Sequence, residues 1–154
     1  MTKNHLSMAA VLVVGILTGA VLAQSDNPLI GTWKLNAAKS KGVKSGATKI
    51  EAVGDGVKFT SDLALADGTS SHSEFSGKYD GKDNPITGSS PYGNAVALTR
   101  VSATTTRLTF KQDGKASAVI TIVLSADGKT RTATAKGKDA KGQPVDTVSF
   151  YEKQ

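Results

Sequence analysis

The sequence contains no cysteine, which excludes disulfides, thiolate metal sites and thiol nucleophiles together. Beyond the N-terminal segment a single histidine, His72, remains. No histidine cluster can form around it, and a zinc site would have to draw its other ligands from carboxylates. Glu74, two residues on and on the same face of an extended strand, is the nearest approach to a metal or acid-base pair, and a solvated His-Glu surface pair accounts for that spacing equally well. Serines are plentiful at Ser70, Ser71, Ser73, Ser76, Ser89 and Ser90, but none lies in a Gly-x-Ser-x-Gly elbow. Asp80, Asp83 and Asn84 lack the spacing and the later glutamate of a calcium loop. With the usual nucleophile, base and ligand sets missing, the chain reads as non-enzymatic, with neither a cofactor nor a metal.

Long runs of one kind are also missing. No arginine block or interleaved aromatic ladder accompanies the net charge of +6, so nucleic acid is not an expected partner. The lysines sit beside turns, as at Lys39, Lys41, Lys44, Lys115, Lys129, Lys136, Lys138 and Lys141, where they solvate loops and discourage edge-to-edge pairing. The apolar run from Met8 to Val21 is broken by Gly15, Thr18, Gly19 and Ala20, short and mild beside the roughly 20 residues of a membrane span. Lys3 and His5 precede it and Val21-Leu22-Ala23 follows, the tripartite pattern of an export signal with cleavage after Ala23. The expectation is therefore a signal peptide over residues 1–23 and a single domain over 24–154, secreted or periplasmic, monomeric and without a stable membrane span after cleavage. A domain of this length buries roughly two-thirds of its extended surface, and without disulfides it must hold together by packing and strand pairing alone.

What is present is a repeated turn signal. Asp55-Gly56, Asp67-Gly68, Asp80-Gly81, Asp113-Gly114 and Asp127-Gly128 fall between short runs of alternating apolar and polar residues, and Asp and Gly tolerate the positive φ of tight hairpins. Several of these pairs are spaced by about a dozen residues, one strand plus one turn. The pattern predicts ten strands: Leu29 to Asn36, Thr48 to Val53, Val57 to Leu65, Ser70 to Tyr79, Asn84 to Thr87, Ala95 to Val101, Thr105 to Lys111, Ala116 to Ser125, Thr130 to Ala135 and Val145 to Glu152. Ala37 to Ser45 reads as a lysine-rich connection with room for one helical turn at Ala37-Ala38-Lys39. No helical stretch is long enough for a parallel crossover, so the sheet should be antiparallel throughout. Sequential hairpins favour an up-and-down β-barrel of about eight to ten strands, with a β-sandwich as the alternative.

Gly31-x-Trp33 on the first strand of an exported meander resembles the lipocalin and wider calycin group. The segment Leu29 to Ser40, Leu-Ile-Gly-Thr-Trp-Lys-Leu-Asn-Ala-Ala-Lys-Ser, is similar to secreted bacterial lipocalin-like domains of uncharacterised function. Tyr79-Asp80-Gly81-Lys82-Asp83, Ser125 to Thr130, and Gly142-Gln143-Pro144-Val145 through Tyr151-Glu152-Lys153 extend the likeness over most of the mature chain. The resemblance implies a barrel-base motif at Gly31 and Trp33, with the tryptophan packed across the closed end beside a cation from a late strand; Arg131 and Lys153 are the candidates. The Thr-Asp-Tyr type of turn and the disulfides of vertebrate carriers are not found here.

A barrel offers an interior without special residues. Its expected wall includes Phe59, Leu63, Phe75, Tyr79, Tyr92, Leu98, Arg100, Leu108, Phe110, Ile120 and Ile122, most of which also serve as plain core. The irregular stretch Gly88 to Gly93 carries Tyr92 and should sit at a mouth. Arg100 shares a strand face with Val96 and Leu98, and an inward guanidinium would match a ligand carboxylate. The candidate ligand-binding residues are thus Tyr92, Arg100, Tyr79 and Phe110, and the expected partner is a small apolar or amphipathic molecule. Only 5% of residues are aromatic, so the many Ala, Ser and Thr positions leave either a cavity or a narrow barrel. The second reading is an envelope-associated interaction or inhibitor-like module with a filled interior.

Overall fold

The computed structural model describes residues 27–154, and the expected export signal and its cleavage point lie outside them. The chain forms one antiparallel sheet of eleven strands: β1 (Gly31–Leu35), β2 (Val43–Val53), β3 (Gly56–Leu65), β4 (Ser70–Gly77), β5 (Asp80–Pro85), β6 (Thr87–Gly88), β7 (Ala95–Arg100), β8 (Thr105–Gln112), β9 (Lys115–Leu124), β10 (Thr130–Lys138) and β11 (Pro144–Lys153). Their spatial order is β5-β7-β8-β9-β10-β11-β1-β2-β3-β4-β6. This is an up-and-down, nearly closed barrel in which β1 and β11 join the two ends of the chain, with Trp33 opposite Lys153. The ladder is open only beside β4, where Gly77 lies so close to Asn84 and Leu98 that a side chain there would collide with both. Side-chain packing thus seals a seam that backbone hydrogen bonds do not cross.

Strand alternation turns the apolar face inward. On β1, Trp33 and Leu35 are buried while Thr32 and Lys34 face solvent. The phenyl rings of Phe59 and Phe75, directly opposed across β3 and β4, stack at 4.8 Å. Leu29, Trp33, Ile50, Val57, Val96, Leu98 and Ile122 are fully buried, and each large apolar side chain removed from water contributes roughly 1.5–3 kcal/mol. Among the described residues no helix is long and apolar enough to cross a membrane.

The differences from the sequence expectation are local. The brief strand expected at Asn84 to Thr87 is two strands that pair with opposite sides of the seam, β5 with β7 and β6 with β4. Pro85, the last residue of β5, has no N–H with which to prolong its ladder, and the chain changes partner there. The expected helical turn is a 3-10 turn at Ala37–Lys39, its Lys39 N–H donating to the Asn36 side chain. The connection after it is shorter than expected, because β2 already begins at Val43 and absorbs a bulge before Ser45.

Of the five Asp-Gly pairs, only Asp113-Gly114 forms a two-residue hairpin, with φ of 52° and 79° between the paired Gln112 and Lys115. Asp67-Gly68 and Asp127-Gly128 lie in longer loops, where the Asp carboxylate accepts the N–H of Thr69 or Lys129 and the glycine N–H donates to the carbonyl of Leu65 or Ser125. Asp80-Gly81 is a bulge in β5. At Asp55-Gly56 the tight turn is shifted one residue earlier, to Gly54-Asp55, since Val53 already pairs with Gly56. Gly56 instead packs its Cα against the Gly77 carbonyl.

That contact gives a direct check. Gly56→Ala should lower stability in urea unfolding by about 1–3 kcal/mol, the range for forcing atoms into a packed site. Leu98→Ala, which empties a fully buried position, should lower it by about 2–5 kcal/mol.

Candidate ligand-binding site

The two ends of the barrel are closed by different means. At the base, residues 27–30 fold across the opening: the Ile30 N–H donates to the Asn27 carbonyl at 3.0 Å, and the Trp33 indole N–H donates to the Leu29 carbonyl at 2.8 Å. The Lys153 ammonium donates to the Pro28 carbonyl at 3.1 Å and lies 5.2 Å from the Trp33 ring centre. Gly31, at φ +140°, leaves the space that the Lys153 stem occupies. Arg131 is the second cation: its guanidinium carbon is 5.1 Å from the Trp33 ring centre and 4.4 Å from that of Tyr151. Both late-strand cations therefore reach the tryptophan.

At the mouth, the loop between β6 and β7 turns inward as a plug. The Ser89 N–H donates to the His72 carbonyl at 2.7 Å, the Ala140 N–H to the Pro91 carbonyl at 2.8 Å, and the Ser117 hydroxyl to the Tyr92 carbonyl. These bonds press the Tyr92 ring into the barrel, where it is 6% exposed and meets Phe110 edge-on at 5.4 Å. Burial pushes the Tyr92 phenol above its ordinary value of 10, while a hydrogen bond with Thr147 pulls it the other way.

Between plug and base lies an interior cavity of about 80 Å³. Its walls are mostly apolar, with Phe59, Phe75, Phe110, Ile120 and Tyr92 among them, and its polar members are the hydroxyls of strands and loop together with Arg131. Outside the plug, the β3–β4 and β10–β11 loops frame a depression of about 720 Å³. Ser90, Pro91, Tyr92 and Thr147 border both spaces. The interior alone falls short of the roughly 300–1,000 Å³ of small-molecule pockets, whereas the mouth lies within that range.

Arg131 is the unusual group. It is 3% exposed, its Nε–H has no hydrogen-bond partner, and among the described residues it forms no ion pair. Burial pushes its pKa down to about 10, so it remains charged at neutral pH.

The four residues expected to form a ligand site divide into two pairs at opposite ends. Tyr92 and Phe110 line the interior. Tyr79 lies half-buried at the base, its hydroxyl accepting from Asn27 Nδ2 at 2.9 Å. Arg100 is exposed and lies over the Tyr79 ring at 4.3 Å, away from the cavity. Alternation does put Arg100 in line with Val96 and Leu98, but it is the last residue of β7, where the barrel ends and an inward direction leads to the rim. Of the expected wall, Leu98 is buried core and does not border the cavity. Arg131 entered the sequence reading only as a tryptophan-packing cation. The signal for its place in the cavity was on β10, where Arg131, Ala133 and Ala135 share one face and the two small residues leave room beside the guanidinium.

His72 pairs not with Glu74 but with Asp62, its cross-strand neighbour, at 2.7 Å. Glu74 bonds instead with Lys58 at 3.0 Å. Among the described residues no three His, Asp or Glu side chains gather as a metal site. No family model matches the chain, and no curated protein is significantly similar to it.

The hydrogen bond and charge of Asp62 raise the His72 pKa above 6.5. A raised folded-state pKa stabilises below the unfolded value and loses that contribution as pH rises through the folded one; on so exposed a pair the effect on global stability is slight. Titration of the His72 ring by NMR should show a midpoint above 6.5 that Asp62→Asn moves back toward it.

Proposed function

We propose that this protein is an exported, monomeric, non-enzymatic barrel of the secreted bacterial lipocalin-like kind, which binds a small apolar or amphipathic molecule. The observation that carries the reading is the pairing of a mostly apolar interior cavity with a mouth depression, the two divided by Ser90-Pro91-Tyr92 together with Thr147. A ligand larger than the interior occupies the barrel by displacing the Tyr92 ring toward the mouth. Its apolar surface then replaces the tyrosine against Phe110 and the other wall residues, gaining roughly 25 cal/mol per Å² removed from water.

The small interior volume favours the second reading, a filled barrel whose mouth loops contact another protein. The two make opposite predictions. Native mass spectrometry of gently purified protein should retain a small molecule, and the neutral probe N-phenyl-1-naphthylamine should bind with about 1:1 stoichiometry. Tyr92→Leu, which shortens the plug, should strengthen probe binding several-fold. No retained molecule, no probe binding by either form, and a stable protein partner recovered from periplasmic extract would establish the interaction module instead.

A further inference from the structure

We infer that Arg131 is the ligand-recognising residue of the interior and that the guest is a linear monocarboxylate, its head group at the guanidinium and its chain directed toward Tyr92. The inference rests on the ligand-binding reading above and names the chemistry of that same site.

Three observations lead to it. First, Arg131 borders the cavity, and none of the other cavity-lining residues is acidic. The interior therefore holds a positive charge with no countercharge facing it, and burial of an unpaired ion is unfavourable. Second, the compensation in place is partial. The Trp33 and Tyr151 rings lie 5.1 and 4.4 Å from the guanidinium carbon, and their faces attract the charge without neutralising it. Aromatic π faces supply no strong lone-pair acceptor for the planar N–H donors, and the buried Nε–H is without a partner. A carboxylate supplies both the missing charge and two acceptor oxygens in the geometry a guanidinium fits.

Third, the surroundings suit a carboxylate on an alkyl chain better than a small inorganic anion. Ala133 and Ala135 follow Arg131 along the inward face of β10, and Phe59, Phe75 and Phe110 contribute aromatic surface to the cavity. The hydroxyls of the lining, Ser61 and Ser149 among them, could donate to any of these anions, whereas only a guest with an alkyl chain also covers the apolar part of the wall. A chain of two or three carbons fits the scale of the 80 Å³ space; a longer one needs the room that displacement of Tyr92 provides.

The test compares guests of equal length and different head group on the wild-type protein: octanoate, 1-octanol and octylammonium, followed by calorimetry and by the emission of Trp33, the only tryptophan. Octanoate should bind at least about tenfold more tightly than 1-octanol, the scale of a charge-assisted bond, octylammonium should not bind, and octanoate should perturb Trp33 emission because the indole touches Arg131. Arg131→Gln should bring octanoate and 1-octanol to the same affinity. Equal affinities in the wild type would overturn the role of Arg131 while leaving the barrel a binder of apolar molecules. Absence of binding by all three would overturn both. Because the decisive comparison uses the unaltered chain, a variant that fails to fold does not remove it.

Discussion

The pairing of β1 with β11 converts a meander into a container. Without it, the sheet would have exposed edges at both ends of the chain; with it, Trp33 stands opposite Lys153 and the Gln154 N–H donates to the Thr32 carbonyl at 2.9 Å. The side chains at that closure reinforce it. Lys153 and Arg131 both contact the indole, and the indole bonds to Leu29 in the segment that covers the base. Since no disulfide can hold the termini, this one stack joins the first strand, the last two strands and the cover. A glycine at 31 is part of the arrangement for a steric reason, since a side chain there would strike Lys153.

The opposite end shows a different balance. The mouth loop has few backbone ladder bonds of its own, and it is held by donors from outside it, at Ser117 and Ala140, and by the burial of Tyr92. The tyrosine ring fills interior space beside Phe110 and adds its buried surface to the core. Its hydroxyl, near Thr147, keeps a polar partner while the ring is inside. The base is thus closed by charge–ring contacts and the mouth by a buried tyrosine on an anchored loop.

The seam lies between β4 and β5. Only two residues separate these strands, yet they do not pair: β5 pairs with β7, and the returning β6 takes a short place beside β4. The barrel stays nearly closed because Gly77 permits the approach of Asn84 and Leu98.

Much of the fold was legible in the chain. The period-two spacing of Trp33 and Leu35, and of Ala118, Ile122 and Leu124, coincides with the buried faces of β1 and β9, and the density of turn signals implied antiparallel neighbours and therefore a barrel. The Asp-Gly pairs were less literal: the same two residues make a hairpin at 113–114, a bulge at 80–81 and a packing contact at 56. Local preference allows positive φ at each, and the partner strand decides which use is made of it. The site was legible in the same partial way. Tyr92 and Phe110 line the cavity, whereas Arg100, with the same alternation argument behind it, falls at the rim, and Arg131 occupies the interior instead. Period-two spacing determines which side of a strand a residue faces. How far along the barrel it sits, and whether the opposite wall there is a gap, a ring or a carboxylate, depends on the register of eleven strands and is decided only when the sheet closes.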